Sequence, residues 1–577
     1  MAILQPLIDL ASVCFAHGVR HVIVSPGSRS AALTLAFVRH RGFQMHTCMD
    51  ERSAAFIGLG IAQQLNMPTV LICTSGSAAY NFAPAVAEAF FQHIPLLVLT
   101  ADRPKEWQHQ LDGQTIYQAD IYGRHVKRSF EISPDYGHKD VQWAINRIAN
   151  EALISASSQP WGPVHINIPI REPFYPQETD AFQPSEHIRV FEKIQTNATL
   201  STELWHQMIE ELEDGGSVLI AGGQARYDPE LSESLEKISE EWGIPVLGDC
   251  ISNLNLKTHL ISRHDLFLGM ENAAELRPDL LITFGLSFLS KEFKQFIRRN
   301  PPKQHWHIGE TAVLSDPMQV LTKSIPVKPA YFFKELFEQV DYQQFVQNTD
   351  FDNVCSNIGK WDAFEARSTT GVAKYLDDLR SLNDLTSVDL LFRYIKSEYQ
   401  LHVANSMAVR YVNVLLTESV TSELFANRGT SGIDGCVSTA IGAARVNSKP
   451  TMLIVGDVAF LYDRNGLLAA PLPDNLKIVV LNNGGGNIFR MIDGPGALPE
   501  MEEFFETRHS YTARRTCEDS GITYLSVTDL SSLEETLKQF LQAPKISLIE
   551  IFTDPYENER VWKGLKATVK SDLIGNA

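Results

Sequence analysis

Residues 452–457 read Met-Leu-Ile-Val-Gly-Asp, and residues 478–486 read Ile-Val-Val-Leu-Asn-Asn-Gly-Gly-Gly. Each is a short apolar run that ends abruptly in polar or glycine residues. Continuous apolar runs of this length, separated by longer stretches of helical spacing, are typical of parallel strands that helices cover on both faces. The interval from Asp457 to Asn483 is long enough for a strand, a helix and a second strand. We therefore expect the two runs to be strands of one parallel sheet.

The same pattern extends over the whole chain in three groups of apolar runs. They lie at 22–25, 69–74, 96–100 and 164–168, at 218–221, 245–247, 280–284 and 306–308, and at 401–404, 452–455, 478–481 and 546–551. Polar segments at 172–202 and 343–384 separate the groups and are typical of linkers. The pattern predicts an α/β fold with three doubly wound parallel-sheet domains. Their expected limits are 1–180, 200–345 and 383–577.

Composition narrows the function classes. The chain has 577 residues, with 50 Lys plus Arg against 69 Asp plus Glu, and a formal net charge of −19. This charge argues against a nucleic-acid partner, and the apolar stretches fall short of the roughly 18 residues of a membrane span. The start of the chain lacks the features of a signal peptide. Seven scattered cysteines without a Cys-x-x-Cys pair favour reduced thiols in the cytoplasm.

Polar residues follow the two runs quoted first, at the strand ends where ligands bind in open α/β sheets. The Asp457 carboxylate, the Asn483 amide oxygen and the Gly485 carbonyl are hard oxygen ligands suited to Mg²⁺. The glycines would let backbone N–H groups approach a diphosphate. Taken alone, the same residues could equally be a helix cap and an Asn-Gly turn.

An acidic residue opens an apolar helix in the first domain. Asp50-Glu51-Arg52 precedes the stretch 53–65, which is rich in Ala, Gly, Ile and Leu. A carboxylate in the first turn of a helix is often purely structural, because the helix dipole favours it there. In this apolar setting, however, a desolvated Glu51 would have a raised pKa and could share a proton with a bound heterocycle.

Five cations lie near predicted strand ends or helix starts. Guanidinium groups bind carboxylates in a bidentate manner, so a convergent set would suit a substrate with several carboxylates. Each of them could instead be a surface residue or part of an interdomain ion pair. They are Arg29, Arg103, Lys291, Arg410 and Arg428.

Taken together, these motifs resemble those of the thiamine-diphosphate enzyme superfamily. Residues 50–62 resemble its catalytic-glutamate helix, and 74–81, Thr-Ser-Gly-Ser-Ala-Ala-Tyr-Asn, resemble its T-S-G-x-x-x-x-N turn. Gly456-Asp457 followed by Asn482-Asn483 resembles its metal-diphosphate motif, although Val458 stands where many members have a further glycine. The resemblance covers both outer domains.

The resemblance implies a cofactor, thiamine diphosphate, with Mg²⁺ or Mn²⁺ on its diphosphate. Glu51 would be the catalytic residue at the aminopyrimidine ring, and Ile433 would be the apolar wedge that bends the cofactor. The implied metal ligands are Asp457, Asn483 and Gly485. The implied cofactor contacts are Glu51, Thr74, Ser75, Gly76, Asn81, Ile433, Gly456, Asp457, Asn483, Gly485 and Ile488.

Within the superfamily, the chain is most similar to the menaquinone-pathway synthases that join 2-oxoglutarate to isochorismate. This resemblance rests on 25–30, 100–104, 405–410, 427–435 and 462–465, which occur in order at strand ends. It implies a transferase that decarboxylates 2-oxoglutarate and adds the resulting four-carbon succinyl unit to isochorismate by conjugate (1,4) addition. Family members often carry Asn-Gln where this chain has Gly113-Gln114, so only Gln114 is carried over. The implied substrate contacts are Ser28, Arg29, Arg103, Gln114, Lys291, Ser406, Arg410, Arg428, Ile488 and Phe489.

Two other functions stay open from the sequence. One is a different 2-oxo acid decarboxylase or carboligase similar to acetohydroxyacid synthase, and the other is a non-catalytic nucleotide-binding or scaffold protein. The superfamily resemblance also implies a homodimer or homotetramer, because the pyrimidine-binding domain of one subunit meets the diphosphate-binding domain of its neighbour.

Overall fold

The structure of the protein is a computed structural model. It describes residues 4–172, 175, 182–186, 188–214, 216–310, 314–340, 351–395, 397–416, 423–492 and 494–574. The strands are β1 His21–Val24, β2 Gln44–Thr47, β3 Thr69–Cys73, β4 Leu96–Asp102, β5 Arg128–Glu131, β6 Val164–Pro169, β7 Val218–Gly222, β8 Val246–Gly248, β9 Leu260–Ile261, β10 Leu280–Phe284, β11 Gln304–Ile308, β12 Lys323–Ile325, β13 Gln400–Val403, β14 Leu424–Phe425, β15 Thr451–Gly456, β16 Leu476–Asn482, β17 Thr523–Val527 and β18 Ser547–Phe552.

Helices connect these strands and cover the sheets. They are α1 Gln5–Ala16, α2 Ala31–Val38, α3 Glu51–Leu65, α4 Ser77–Asn81, α5 Ala83–Phe91, α6 Lys139–Ala156, α7 Thr202–Glu213, α8 Pro229–Trp242, α9 Lys291–Arg299, α10 Pro329–Gln339, α11 Phe351–Asp378, α12 Asp384–Tyr394, α13 Met407–Leu415, α14 Cys436–Val446, α15 Asp457–Asp463, α16 Ile488–Met491, α17 Arg514–Ser520, α18 Leu530–Gln542 and α19 Pro555–Ile574.

The strands form three six-stranded sheets in which every paired strand is parallel. The first sheet has the order β2-β1-β3-β4-β6-β5, and the third has the equivalent order β14-β13-β15-β16-β18-β17. The middle sheet is different, with the order β12-β11-β10-β7-β8-β9. The prediction of three doubly wound α/β domains is confirmed. The exact domain limits of 1–180, 200–345 and 383–577 stay a prediction.

In the outer sheets, central strands are more completely buried than the edge strands β2 and β5. All the residues of β3, β4 and β16 are buried, while the outermost strands β2 and β5 are only partly buried. A buried parallel strand is mostly apolar, but an edge strand meets water along one side and can carry more polar residues. This difference explains why the apolar runs matched interior strands and left the edge strands undetected.

The two outer domains meet at helices α3 and α14, which pack against each other at backbone distance. A Cβ atom at Gly60 would lie 2.1 Å from the Thr439 carbonyl oxygen, and one at Gly442 would lie 2.1 Å from the Ile57 carbonyl oxygen. Only glycine allows so close a helix contact. Because α3 begins at Glu51, this contact determines where Glu51 lies relative to the third domain.

The described part of the segment 343–384, from residue 351 onward, does not match the expected linker, and 343–350 lie outside the described residues. Residues 351–378 form the 28-residue helix α11, which packs against the carboxyl-terminal helix α19. Its apolar residues Trp361 and Val372 are buried in the core, so the polar composition concealed a helix with one apolar face. In the other expected linker, 172–202, residues 173–174, 176–181 and 187 lie outside the described residues.

Two further expectations concern membranes and thiols. No helix among the described residues is both long and apolar enough to cross a membrane. The cysteines whose side chains are described carry free thiols, and the side chain of Cys355 lies outside the described part. The free cysteines are Cys14, Cys48, Cys73, Cys250, Cys436 and Cys517.

Candidate functional site

The Asp457 carboxylate lies in a turn of backbone N–H groups at the carboxyl end of the third sheet. Asp457 is the first residue of α15, directly after β15, and it is buried. Its Oδ2 accepts hydrogen bonds from the Gly484 N–H at 2.8 Å and the Gly485 N–H at 3.0 Å. Gly484 has φ of +77°, which glycine adopts without strain. The structure thus brings the predicted Asp457 and the glycine turn together.

Asn483 precedes this turn and leaves an oxygen without a partner. Its Nδ2 donates to Asp384 Oδ2 at 3.1 Å, and its Oδ1 is buried with no hydrogen-bond partner among the described residues. A buried amide oxygen without a partner is costly unless a cation or another donor satisfies it. The buried Asp384 was not found from the sequence. Burial raises the pKa of Asp384 to about 6, although hydrogen bonds from Thr553 and Asn483 oppose that rise.

Arg410 and Arg428 lie half-buried at the same end of the third sheet. Arg410 donates to the Ser406 carbonyl oxygen at 2.5 Å, and Arg428 donates to Asn405 Oδ1 at 2.8 Å. Burial lowers the pKa of both, and the Arg410 charge lowers the pKa of Arg428 further. Over the described ranges, neither guanidinium forms an ion pair, and Arg428 Nε is buried without a partner. Each arginine of the pair therefore has a hydrogen-bond acceptor but no acidic partner within the described ranges.

Backbone strain marks the loop beside these arginines. Ser406 has φ of +69° and ψ of −130°, a conformation that residues other than glycine rarely adopt. The adjacent Asn405 bridges two stretches of the facing loop, since its Nδ2 donates to the Asn427 and Gly432 carbonyl oxygens at 2.6 Å each. The strained turn thus positions the loop that carries Arg428.

The buried Glu88 of the first domain holds the same loop, a contact that the sequence did not reveal. Its carboxylate accepts hydrogen bonds from the backbone N–H groups of Gly429 and Thr430, each at 2.7 Å. Gly429 packs closely on this helix, because a Cβ atom there would lie 2.7 Å from the Glu88 carbonyl oxygen. The position of Arg428 therefore depends on contacts from two domains.

The remaining predicted residues of the second and third domains are Lys291, Ile433, Gly456, Ile488 and Phe489. Lys291 is the exposed first residue of α9, and Ile433 is partly buried against the core shared by the outer domains. Ile488 is partly buried at the start of α16, and the Phe489 ring lies 5.7 Å from the Phe505 ring. Gly456 has open space where a Cβ atom would point.

Glu51 is the first residue of α3 and lines a cavity of about 320 Å³. Asp50 caps the helix by accepting the Ser53 N–H at 3.2 Å, and its second oxygen accepts Asn465 Nδ2 of the third domain at 2.7 Å. The predicted Asn81 lines the same cavity. The helix expected at 53–65 is confirmed and begins two residues earlier, at Glu51.

The turn after β3 holds the other predicted residues of the first domain. Thr74 and Ser75 are buried, and Thr74 Oγ1 has no hydrogen-bond partner among the described residues. Gly76 has φ of +89°, and its N–H donates to Gln118 Oε1 at 2.7 Å. The buried Gln118 also donates to the Ala101 carbonyl oxygen at 3.1 Å. It is a further residue of the site that the motifs missed, since no motif contains it.

Cations of the first domain lie nearby but are already paired. Arg29 is buried and contacts Glu172 Oε1 at 3.2 Å, and Arg103 contacts Asp112 Oδ2 at 2.8 Å while donating to the Gly113 carbonyl oxygen at 3.1 Å. Desolvation, followed by the Arg103 charge, lowers the pKa of Arg29. Two other predicted residues, Ser28 and Gln114, are exposed beside them.

Within one chain, the predicted residues therefore form two clusters. The first-sheet cluster contains Glu51 and the paired arginines, and the third-sheet cluster contains Asp457, Asn483 and the unpaired arginines. No hydrogen bond or ion pair between predicted residues joins the two clusters in the part of the chain that the structure describes.

Three family models match successive parts of the chain. They are the N-terminal TPP binding domain of thiamine pyrophosphate enzymes at 9–123, the middle domain of thiamine pyrophosphate enzymes at 189–358, and the C-terminal TPP binding domain at 407–551. Each match falls on one of the three sheets, so the two clusters lie in the two domains named for cofactor binding.

Curated relatives match almost the full length. A protein of Cytophaga hutchinsonii named 2-succinyl-5-enolpyruvyl-6-hydroxy-3-cyclohexene-1-carboxylate synthase is 42% identical over 99% of this chain and 100% of its own. Relatives with the same name from Flavobacterium johnsoniae and Phocaeicola vulgatus are 34% and 32% identical, over 98% and 95% of this chain and 98% and 95% of their own.

Proposed function

The chain belongs to the 2-succinyl-5-enolpyruvyl-6-hydroxy-3-cyclohexene-1-carboxylate synthase family of thiamine pyrophosphate enzymes, and from that premise we propose its reaction. The enzyme takes 2-oxoglutarate and isochorismate and forms CO₂ and the product for which the family is named, a step of menaquinone biosynthesis. The succinyl unit left by decarboxylation adds to isochorismate in conjugate (1,4) fashion. The alternative similar to acetohydroxyacid synthase lacks support, because the relatives carry the synthase name.

The observation that carries the proposal is the unpaired amide oxygen of Asn483, next to the turn that holds Asp457 at the carboxyl end of the third sheet. Asn483 Oδ1 has no hydrogen-bond partner among the described residues, Asp457 Oδ2 accepts the N–H of the next residue, Gly484, and both Asn483 and Asp457 are buried. These are hard oxygen donors of the kind that Mg²⁺ or Mn²⁺ binds together with phosphate oxygens. The N–H groups of Gly484 and Gly485 could turn from Asp457 to a diphosphate. The donor chemistry therefore fits a metal diphosphate, with the Gly485 carbonyl as the third protein ligand.

When bound, thiamine diphosphate supplies the carbon nucleophile for the 2-oxo acid. The chain's own residues prepare that chemistry. Glu51 would hold the proton that is shared with the ring nitrogen of the aminopyrimidine. Ile433 would offer an apolar side chain against the cofactor rings. Cofactor contacts are also assigned to Thr74, Ser75, Gly76, Asn81, Gly456 and Ile488.

Arg410 with Ser406 binds the distal carboxylate of 2-oxoglutarate, with Arg428 nearby. The support is that both arginines are partly desolvated and free of acidic partners among the described residues. A partly buried guanidinium forms a stronger charge-assisted hydrogen bond with a carboxylate than an exposed one does. Ile488 and Phe489 line the apolar side of the substrate. Isochorismate is assigned to Ser28, Arg29, Arg103, Gln114 and Lys291.

The two clusters belong to two subunits in this proposal. Glu51 of one subunit completes the metal-diphosphate half of a second copy, in a homodimer or homotetramer. Exposed apolar side chains near the Glu51 cavity support self-association there, because such groups gain by leaving water. They are Met49, Tyr80, Tyr462 and Leu468. The cytoplasmic location stays a prediction from the cysteines.

The test is the loss of isochorismate absorbance with thiamine diphosphate, Mg²⁺ and 2-oxoglutarate present, each omitted in turn. Glu51→Gln is the paired variant, and we expect it to bind the cofactor but to lose on the order of 10²- to 10⁴-fold in rate, the range for a general acid–base group. Near-normal turnover in Glu51→Gln would remove Glu51 from its role. Release of CO₂ without loss of isochorismate would instead show that the acceptor is wrong.

A further inference from the structure

Asn483 is held by a buried carboxylate that no motif contains. Asp384, the first residue of α12, is 1% exposed, and its Oδ2 accepts Asn483 Nδ2 at 3.1 Å. A carboxylate can only accept hydrogen bonds, so it admits only the NH₂ side of the amide. The oxygen of Asn483 is thereby turned to the opposite side, where it has no partner among the described residues.

Asp384 is in turn fixed from several sides. Thr553 donates its hydroxyl to Asp384 Oδ1 at 2.7 Å, and the Asp384 N–H donates to Asn558 Oδ1 at 2.8 Å. Asn558 Nδ2 donates to the Thr553 hydroxyl at 3.0 Å, which orients the Thr553 proton toward Asp384. The ring of contacts leaves Oδ2 of Asp384 as the oxygen that faces Asn483.

From this arrangement, and resting on the proposed function, we propose that Asp384 is the positioning residue that keeps the Asn483 amide oxygen directed at the bound divalent metal. Asp384 does not touch the metal or the substrate itself. Groups that orient a metal ligand typically change metal affinity by 10- to 100-fold when they are removed. Asp384 therefore sets metal affinity through the rotational state of one amide.

The neighbouring residue offers a matched comparison. Asn482 Nδ2 donates to Glu550 Oε1 at 2.7 Å, and Glu550 is also buried and also accepts the Ala513 N–H and the Tyr524 hydroxyl. Two consecutive asparagines thus each have their own buried carboxylate. Unlike Asn483, Asn482 uses its Oδ1 to accept the Gly484 N–H at 3.1 Å. A loss at Glu550 disturbs the same loop without releasing the Asn483 amide.

The experiment compares Asp384→Asn with Glu550→Gln in the full-length protein. Binding of Mn²⁺ in the presence of thiamine diphosphate is measured by electron paramagnetic resonance at pH 8, and thermal unfolding is recorded in parallel. In Asp384→Asn, the new amide oxygen accepts the Thr553 hydroxyl, so the new NH₂ group faces Asn483. The Asn483 amide then has to turn its oxygen toward that NH₂ group and away from the metal. We expect Mn²⁺ affinity to fall at least about tenfold, against less than about twofold in Glu550→Gln.

A Mn²⁺ affinity in Asp384→Asn within about twofold of the parent protein, or an equal loss in Glu550→Gln, would overturn the role of Asp384. If the parent protein itself bound no Mn²⁺, the metal assignment of the proposed function would fail first. Thr553→Val provides a second variant should Asp384→Asn not fold. It removes the donor that orients Asp384 Oδ1, and we expect it to weaken Mn²⁺ binding severalfold, whereas an unchanged affinity would count against the proposal.

Discussion

The first and third sheets have the same strand order, but the cations at their carboxyl ends are paired differently. In the first domain, Arg29 and Arg103 already contact Glu172 and Asp112. In the third domain, Arg410 donates only to a backbone carbonyl, and Arg428 donates to an amide oxygen, among the contacts of the described residues. One topology thus presents satisfied cations at one site and unsatisfied cations at the other.

This difference indicates at which of the two sheets a bound carboxylate contributes more binding free energy. A carboxylate that reaches Arg103 must first displace Asp112, so one ion pair is exchanged for another. A carboxylate that reaches Arg410 does not have to displace another carboxylate, and it gives the partly buried guanidinium an anionic partner. The third sheet should therefore supply most of the binding free energy for a dicarboxylate, while the first sheet supplies the proton chemistry of Glu51.

The largest expected effect that follows is in Arg410→Ala. We expect kcat/KM for 2-oxoglutarate to fall by a factor that corresponds to roughly 2 to 5 kcal/mol of lost binding free energy, the cost of leaving a charged partner unpaired. Arg103→Ala is the matched variant in the first domain. It should lower kcat/KM for its assigned substrate, isochorismate, by a smaller factor, because the parent Arg103 has to give up its ion pair with Asp112 to bind substrate. Steady-state kinetics with each substrate varied in turn measure both. Equal losses in the two variants would remove the distinction between the edges.

The interior strands of each sheet could be predicted from the sequence, whereas the edge strands could not. The runs at 69–74 and 478–481 fall on β3 and β16, since a strand buried on both faces is mostly apolar. The edge strand β17, by contrast, has the sequence Thr-Tyr-Leu-Ser-Val and is only partly buried. Thr, Tyr and Val are common in strands, but the polar residues of β17 interrupt the continuous apolar run by which the interior strands were found.

The site divides in the same way. Asp457 and the glycine turn could be predicted because they follow interior strands directly. Asp384 and Glu88 could not, since each acts on a partner far along the chain through a contact that only the tertiary fold creates. A lone acidic residue on a helix carries no sign of which distant amide or N–H group it will meet.

The junction between the two outer domains gives a second, smaller effect. In Gly442→Ala, the new methyl group would lie against the Ile57 carbonyl oxygen at 2.1 Å and force α3 and α14 apart. We expect the free energy of unfolding to fall by roughly 1 to 3 kcal/mol, as for other overpacked cores. Urea denaturation measures this loss. Gly359→Ala is the control, because a Cβ atom there meets open space on α11, and it should be neutral or slightly stabilising.

If Gly442→Ala were as stable as Gly359→Ala, the two outer domains would not be held at backbone distance, and the comparison of their edges would lose its fixed geometry. The steady-state kinetics of Gly442→Ala test the same junction more specifically than its stability does. Because α3 carries Glu51, a shift of this helix should lower kcat more than it raises KM for 2-oxoglutarate, since the arginines proposed to bind that substrate lie in the other domain.

The smallest expected effect concerns a buried carboxyl group at the same junction. Asp463 accepts hydrogen bonds from the Ser438 N–H at 2.7 Å and the Ser438 hydroxyl at 2.8 Å, and Ser53 of α3 lies at 3.5 Å. Burial raises the pKa of Asp463 to about 7, against the hydrogen bonds from Ser438 and the nearby Arg52 charge, while Asp50 adds to the rise. The folded protein therefore holds this proton more tightly than the unfolded chain does.

For an acid whose folded pKa is raised, the unfolded chain releases its proton first, so stability falls as pH rises from the unfolded pKa to the folded one. Between roughly pH 6 and 8 this loss comes to about 1 kcal/mol for Asp463. Asp463→Asn cannot titrate, so its free energy of unfolding relative to the parent protein should improve over that range and level off above it. Denaturation at both ends of the range measures the difference. A parent-to-variant difference independent of pH would mean that Asp463 is already ionised in the fold, and that the junction of the two outer domains accommodates a full negative charge beside Asp50.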